Sequence, residues 1–208
     1  MQGLLPYVIN GISAGGQYAL IAIGYTLVYG ILRLINFAHG DVFMVAGLIM
    51  VYASASLPMV LAIPLVLILT ALLGFVIERA AYKPLRSAPR MSLMVSAIGV
   101  SYLLQNLALL IFGADAKSFV SAVKVPSVSL FGGQLVIKGI TIVTILACIV
   151  IMVGLSLFVK KTKPGRAMQA VSEDRDAAQL MGVNVNATIS LTFAIGSGLA
   201  AIAGLLLC

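Results

Sequence analysis

The chain has 208 residues, of which 62% are hydrophobic and only 9% charged, with a mean hydropathy of +1.15. No ordinary soluble domain combines these values, so a cytosolic enzyme or a soluble nucleic-acid-binding module is excluded at the outset. The net charge of +7 reports orientation instead, because the basic residues gather between apolar runs in the positive-inside manner.

Crossing about 30 Å of hydrocarbon as helix takes about 17–25 apolar residues. Such runs are read at Tyr7–Leu34, Val42–Ser56, Pro58–Ile77, Ser92–Phe112, Ile140–Val159 and Thr188–Leu207. A strand barrel would alternate apolar and polar residues, and these runs do not. The expected fold is an all-α polytopic transmembrane bundle of six spans, one domain over residues 1–208. The N-terminus lacks the basic region and cleavage site of a secretory signal, so Met1–Leu34 is read as part of the mature fold.

Gly11, Gly15 and Ala19 form one helical row in the first span, and Gly196, Ala200 and Gly204 form another in the last. Small residues at this spacing allow close backbone approach, and both spans are expected to be bundle members. Between the first two spans, Arg33-Leu34-Ile35-Asn36-Phe37-Ala38-His39-Gly40-Asp41 interrupts the apolar pattern. The run that follows would rise only about 22 Å as helix, which is short for a bilayer. Part of the cluster is therefore expected within the membrane as a helix break, tolerable only where protein or a water-filled cavity satisfies the freed backbone.

Interrupted segments of this kind lie beside transport pathways, which makes Asn36, His39, Gly40 and Asp41 candidates for a translocation path. An ordinary cytoplasmic turn with Asn36 or Asp41 as helix cap uses the same residue types and stands as the alternative. Metal binding is not supported, because His39 is the only histidine and no set of three or four ligands accompanies it.

Arg79, Lys83, Arg86 and Arg90 crowd the connection after the third span, and Lys160, Lys161, Lys163, Arg166 and Arg175 crowd another after the fifth. Both are expected on the cytoplasmic side, with segment 113–139 and the N-terminus outside. Within that outer segment, Val125–Phe131 and Gln134–Ile137 flank Gly132-Gly133, a pattern that favours a short β-hairpin capping the bundle. Cys148 lies in an apolar span and reads as an inert buried thiol.

Residues 160–187 form a polar island, KKTKPGRAMQAVSEDRDAAQLMGVNVNA. Pro164-Gly165 punctuates the exit from the preceding span. Ala167, Val171, Ala178 and Met181 then recur at helical spacing, and Gly182 supplies a C-terminal stop. One short helix with an apolar face is expected. Glu173, Asp174, Arg175 and Asp176 are too concentrated for hydrocarbon, and their mixed signs suit a protein partner better than a lipid surface, which would call for a basic face.

Asp176-Ala177-Ala178, followed after three residues by Gly182, resembles the EAA…G loop of ABC importer permeases, with Asp in place of the usual Glu. The trailing Ile-x-Leu-Pro of the general motif is absent. Ala19–Gly47, Glu78–Pro89 and Gly165–Val185 continuing through Ser197 resemble, in the same order, the branched-chain amino acid ABC transporter permeases of the high-affinity leucine/isoleucine/valine type. Members of that family continue for further spans, so the resemblance implies roughly two-thirds of a permease.

The resemblance further implies a multi-pass protein of a bacterial or archaeal inner membrane that carries out no bond chemistry and binds no cofactor. ATP and Mg would be used by cytoplasmic ABC ATPase subunits. A second permease subunit and a periplasmic or lipid-anchored amino-acid-binding protein would complete the assembly, with membrane lipid around it and no nucleic acid. It also implies a coupling helix docked on the ATPase, which assigns that contact to Arg166, Glu173, Asp174, Arg175, Asp176, Ala177, Ala178 and Gly182. A sibling permease for urea or short amides and a passive channel remain as alternatives. An intramembrane enzyme lacks a second histidine, paired carboxylates or a nucleophile with its base.

Overall fold

In the computed structural model, residues 4–33, 35–86, 88–115, 128–130, 135–137 and 139–207 are described. The described residues hold six long helices, α1 (Leu4–Leu32), α2 (His39–Ser56), α3 (Met59–Ile77), α4 (Arg90–Phe112), α5 (Gly139–Lys161) and α8 (Val185–Leu207), and two short ones between α5 and α8, α6 (Lys163–Glu173) and α7 (Arg175–Leu180). Five of the long ones, α2 to α5 and α8, include stretches long and apolar enough to cross a membrane. The strands β1 (Val128–Leu130) and β2 (Leu135–Ile137) pair antiparallel, with Val128 opposite Ile137 and Leu130 opposite Leu135. The Gly132-Gly133 turn expected between them lies outside the described residues.

α8 is the hub. It packs against α1, α2 and α3, and 56% of its span is buried, compared with 11% for α5. Small residues create this centrality: Ala200, Ala201 and Ala203 have no exposed surface. At the α1–α8 crossing a Cβ on Gly24 would stand 3.0 Å from the Gly196 carbonyl oxygen, so the two backbones nearly touch. The last-span row Gly196, Ala200 and Gly204 therefore packs as expected. The first-span row does not: among the described residues the positions of a Cβ at Gly11 and Gly15 have no neighbour within 4 Å, and close approach in α1 falls on Gly16 and Gly24.

Other expectations are corrected at the element ends. The second span begins at His39, not Val42, and its 18 residues rise about 27 Å. The break is thereby confined to Arg33–Ala38, and most of the expected shortfall disappears. Neither Asn36 nor Asp41 caps α2; Ala38 holds the cap position with no side-chain bond, and the Asn36 carbonyl accepts from His39 N at 3.1 Å. The third span runs on through a π-helical turn, Glu78–Tyr82, and a 3₁₀ turn, Lys83–Leu85. The polar island holds two helices rather than one.

Candidate coupling site and polar break

The α6–α7 hairpin is built by local hydrogen bonds. Thr162 caps α6: its Oγ1 accepts from Gly165 N at 3.1 Å and donates to the Phe158 carbonyl at 2.6 Å. Gly165 is buried where α6 folds back on α5, and a Cβ there would collide with the carbonyl of Phe158 and the backbone of Val159. Met168 and Val171 continue the buried face of α6, while Arg166 and Glu173 are exposed.

At Asp174 the backbone turns extended, and one carboxylate oxygen accepts from Asp176 N at 2.9 Å and Ala177 N at 3.0 Å. This acid is the N-cap of α7, a role that favours leaving one helix and starting another. The break resets the helical phase. Ala178 remains buried, but Met181, expected on the apolar face with Val171, is 85% exposed beside Leu180 at 88%. Gly182 ends the turn with φ +83°, where its N–H reaches the Gln179 carbonyl and the next N–H, from Val183, reaches Ala178. Asp176 and Ala177 are exposed on the same short helix.

Two arginines tie this hairpin to α1. Arg33 Nη2 donates to the Ser172 carbonyl at 3.1 Å, and Arg175 Nη2 donates to the Ile31 carbonyl at 3.2 Å. Arg33 is the only non-glycine residue with positive φ, 53°, among the described residues. The left-handed conformation costs an L-residue about 1–2 kcal/mol. A cleft of about 400 Å³ lies between the two tethers, lined by Ile31, Arg33, Arg86, Val171, Ser172, Glu173, Asp174 and Arg175 among others. Arg175, read from the sequence as a docking residue, thus spends part of its guanidinium inside the subunit.

The polar break divides. Asn36, His39 and Gly40 line one mainly apolar cavity of about 380 Å³ with Tyr18, Ile21, Ala22, Tyr25, Ile35 and Phe37. Asp41 does not line it; its carboxylate accepts from Gln105 Nε2 of α4 at 2.9 Å. Asn36 is buried, with Oδ1 accepting from Tyr82 Oη at 2.7 Å. His39 is buried edge-on to Tyr25, and its Nε2 has no hydrogen-bond partner among the described residues.

A third polar centre was not read from the sequence. Glu78, fully buried, forms an ion pair with Arg86 and accepts from Ser190 Oγ of α8 at 2.5 Å, while Arg86 also donates to Asn186. Tyr82, one π-turn further on, stacks obliquely on Phe193 at 5.1 Å between ring centroids and reaches Asn36 with its hydroxyl. The signal was a lone acid at the end of an apolar run, which needs a partner when buried. Eight residues is a poor α-helical spacing for such a pair, and the stretch that separates Glu78 from Arg86 is a π-helical turn followed by a 3₁₀ turn.

Among the described residues no group of three or more potential ligands could hold a metal ion. No solved structure matches the chain. A family model described as branched-chain amino acid transport system / permease component matches residues 7–208. The high-affinity branched-chain amino acid transport system permease protein BraD of Pseudomonas aeruginosa is 40% identical over 217 aligned positions, covering 98% of this chain and 70% of the relative. LivH of Escherichia coli, of the same description, is 39% identical with the same coverage of both chains. A probable branched-chain permease, LivH of Methanocaldococcus jannaschii, is 31% identical over 90% of this chain and 61% of its own length. With the helical architecture, the near-complete coverage and these identities in agreement, the chain belongs to the branched-chain amino acid transport permease family.

Proposed function

We propose that this chain is the membrane-embedded permease subunit of an ABC importer for branched-chain amino acids, and that the α6–α7 hairpin is the handle by which ATPase subunits drive it. The relatives reported above are all named as branched-chain amino acid permeases, and this supports that cargo over urea or short amides. The chain carries out transport and no bond chemistry; ATP and Mg are consumed by a separate cytoplasmic partner. α1 counts as a sixth crossing, the hairpin and the Arg79–Arg86 turns face the cytoplasm, and the β1–β2 pair faces outward. A second permease subunit and an extracytoplasmic binding protein complete the path.

The observation that carries the docking reading is the pair Leu180 and Met181, 88% and 85% exposed, at the C-terminal end of α7 on a hairpin whose other exposed residues include Glu173, Asp176 and Arg166. Two large apolar side chains projecting from a charged, rigidly capped turn suit a protein groove: an apolar anchor with a polar rim. The mechanism is differential. A hairpin held in the same way in both ATPase states could not bias the gate, so its contacts must change with the nucleotide cycle.

The test is to purify the complete transporter with Leu180→Asp and Met181→Asp together. The ATPase subunits should fail to co-purify and leucine uptake into proteoliposomes should cease, with the permease still inserted. ATPase retention and uptake at the wild-type level would overturn the docking assignment.

A further inference from the structure

The two arginines between α1 and the hairpin form a reciprocal pair. Arg33, at the end of α1, donates to the carbonyl of Ser172, the penultimate residue of α6; Arg175, at the start of α7, donates to the carbonyl of Ile31, the penultimate residue of α1. Carbonyls in the last turn of a helix have no partner within it and carry the negative end of the helix dipole. Each cation therefore closes a helix end on the opposite element, and the two contacts are equivalent in kind.

We propose that Arg33 and Arg175 are positioning residues, a clasp that delivers ATPase-driven motion of the hairpin to the C-terminal end of α1 and so to the polar break. This inference rests on the docking role of α6–α7. Its placement favours transmission over simple stability. Arg33 is exposed and Arg175 half-buried, so the contacts are solvent-screened and weak contributors to folding. Arg33 also holds a left-handed backbone at the point where the chain leaves α1, a position glycine would occupy without strain. Asn36, three residues on, meets Tyr82 in the cavity-lining linker. A rotation of the hairpin pulling on Arg33 thus acts directly on the segment that carries Asn36 and His39.

Leucine uptake and ATP hydrolysis are measured together in proteoliposomes holding the complete transporter. Arg33→Gly with Arg175→Ala keeps the turn and removes both tethers; uptake per ATP hydrolysed should fall about tenfold or more, with the ATPase still bound. Arg33→Lys with Arg175→Lys should keep most of the coupling, because one donor per carbonyl suffices. A second arm uses Arg33→Cys with Ser172→Cys in a Cys148→Ala/Cys208→Ser background. A thiol crosslinker spanning an arginine's length should restore uptake lost in the uncrosslinked protein.

Unchanged uptake per ATP in the tether-free variant overturns the clasp. So does loss of ATPase binding on Arg175→Ala alone, which would place that arginine in the docking surface. A crosslink that forms without restoring uptake also overturns it. Failure of the docking reading is separate, since it shows as ATPase retention on the Leu180/Met181 variant.

Discussion

The α6–α7 hairpin and the polar centre around Glu78 and Asn36 use similar residues and satisfy them in opposite ways. In the hairpin, Asp174 bonds the N–H groups two and three residues on, and Thr162 bonds groups three and four residues away. In the buried centre, Glu78 finds Ser190, Tyr82 finds Asn36, and Asp41 finds Gln105, each on another element. A polar group at the surface can be served by its neighbours in sequence because water covers any remaining valence. One within the bundle depends on the tertiary fold for its partners, and His39 Nε2 and Arg86 Nε, which have none among the described residues, show where the fold stops short.

The difference makes the buried centre the costlier one to break. Glu78→Ala leaves the Arg86 guanidinium, whose side chain is only 15% exposed, without its carboxylate. Removing one partner of a buried pair costs about 3–5 kcal/mol. The variant should show a large drop in thermal midpoint in detergent, and Glu78→Ala with Arg86→Met should recover much of it by removing the stranded charge. Equal destabilisation in the single and double variants would show that burial of the pair is not the source.

The hairpin should respond first to sterics. Gly165→Val places atoms where the Phe158 and Val159 backbone already stands, and overpacking of this kind costs about 1–3 kcal/mol. Because α6 has exposed surface and can swing away, the predicted outcome is an intact bundle with a displaced hairpin: weak ATPase retention at nearly normal thermal stability. Asp174→Ala is milder. It removes the cap on α7 at about 1 kcal/mol, and Asp174→Asn should restore most of the loss because its side-chain oxygen accepts the same bonds. Local proteolysis within 174–182, compared across the three proteins, reads this effect.

These contrasts explain how much was legible in advance. The long apolar runs announced the helices, and Gly182 announced the end of α7, because hydropathy and a positive-φ glycine are properties of a few consecutive residues. The division at Asp174 was missed although its signal was local: Glu173-Asp174-Arg175-Asp176 reads equally as a charged helical face and as a capped restart, and the extended backbone and capping bonds of Asp174 decide between them. The α2 start three residues before Val42 was hidden by the polarity of His39, Gly40 and Asp41, which the bundle accepts because Gln105 meets Asp41 and Tyr25 packs on His39. The Glu78–Arg86 pair was beyond reach, since eight residues is not a spacing that an α-helix brings together and the π-helical turn between them has no signal in the sequence.

The finest distinction lies where the break meets the first turn of α2, at Asn36, His39, Gly40 and Asp41, which fall into two environments. Asn36, His39 and Gly40 border the same cavity, whereas Asp41 is turned towards α4 and engaged by Gln105. Cysteine introduced singly at each position, in a background with Cys148→Ala and Cys208→Ser, should separate these environments with little effect on stability at Gly40, which is exposed and has space for a Cβ. If water reaches the cavity during transport, a small aqueous thiol reagent should label position 40 fastest, positions 36 and 39 more slowly, and position 41 least. Labelling at 36 and 39 should quicken under ATP turnover, because the linker carrying them is moved through Arg33. Equal rates at 39 and 41, with no response to ATP, would mean that the break is a packed turn whose polar residues serve the fold alone.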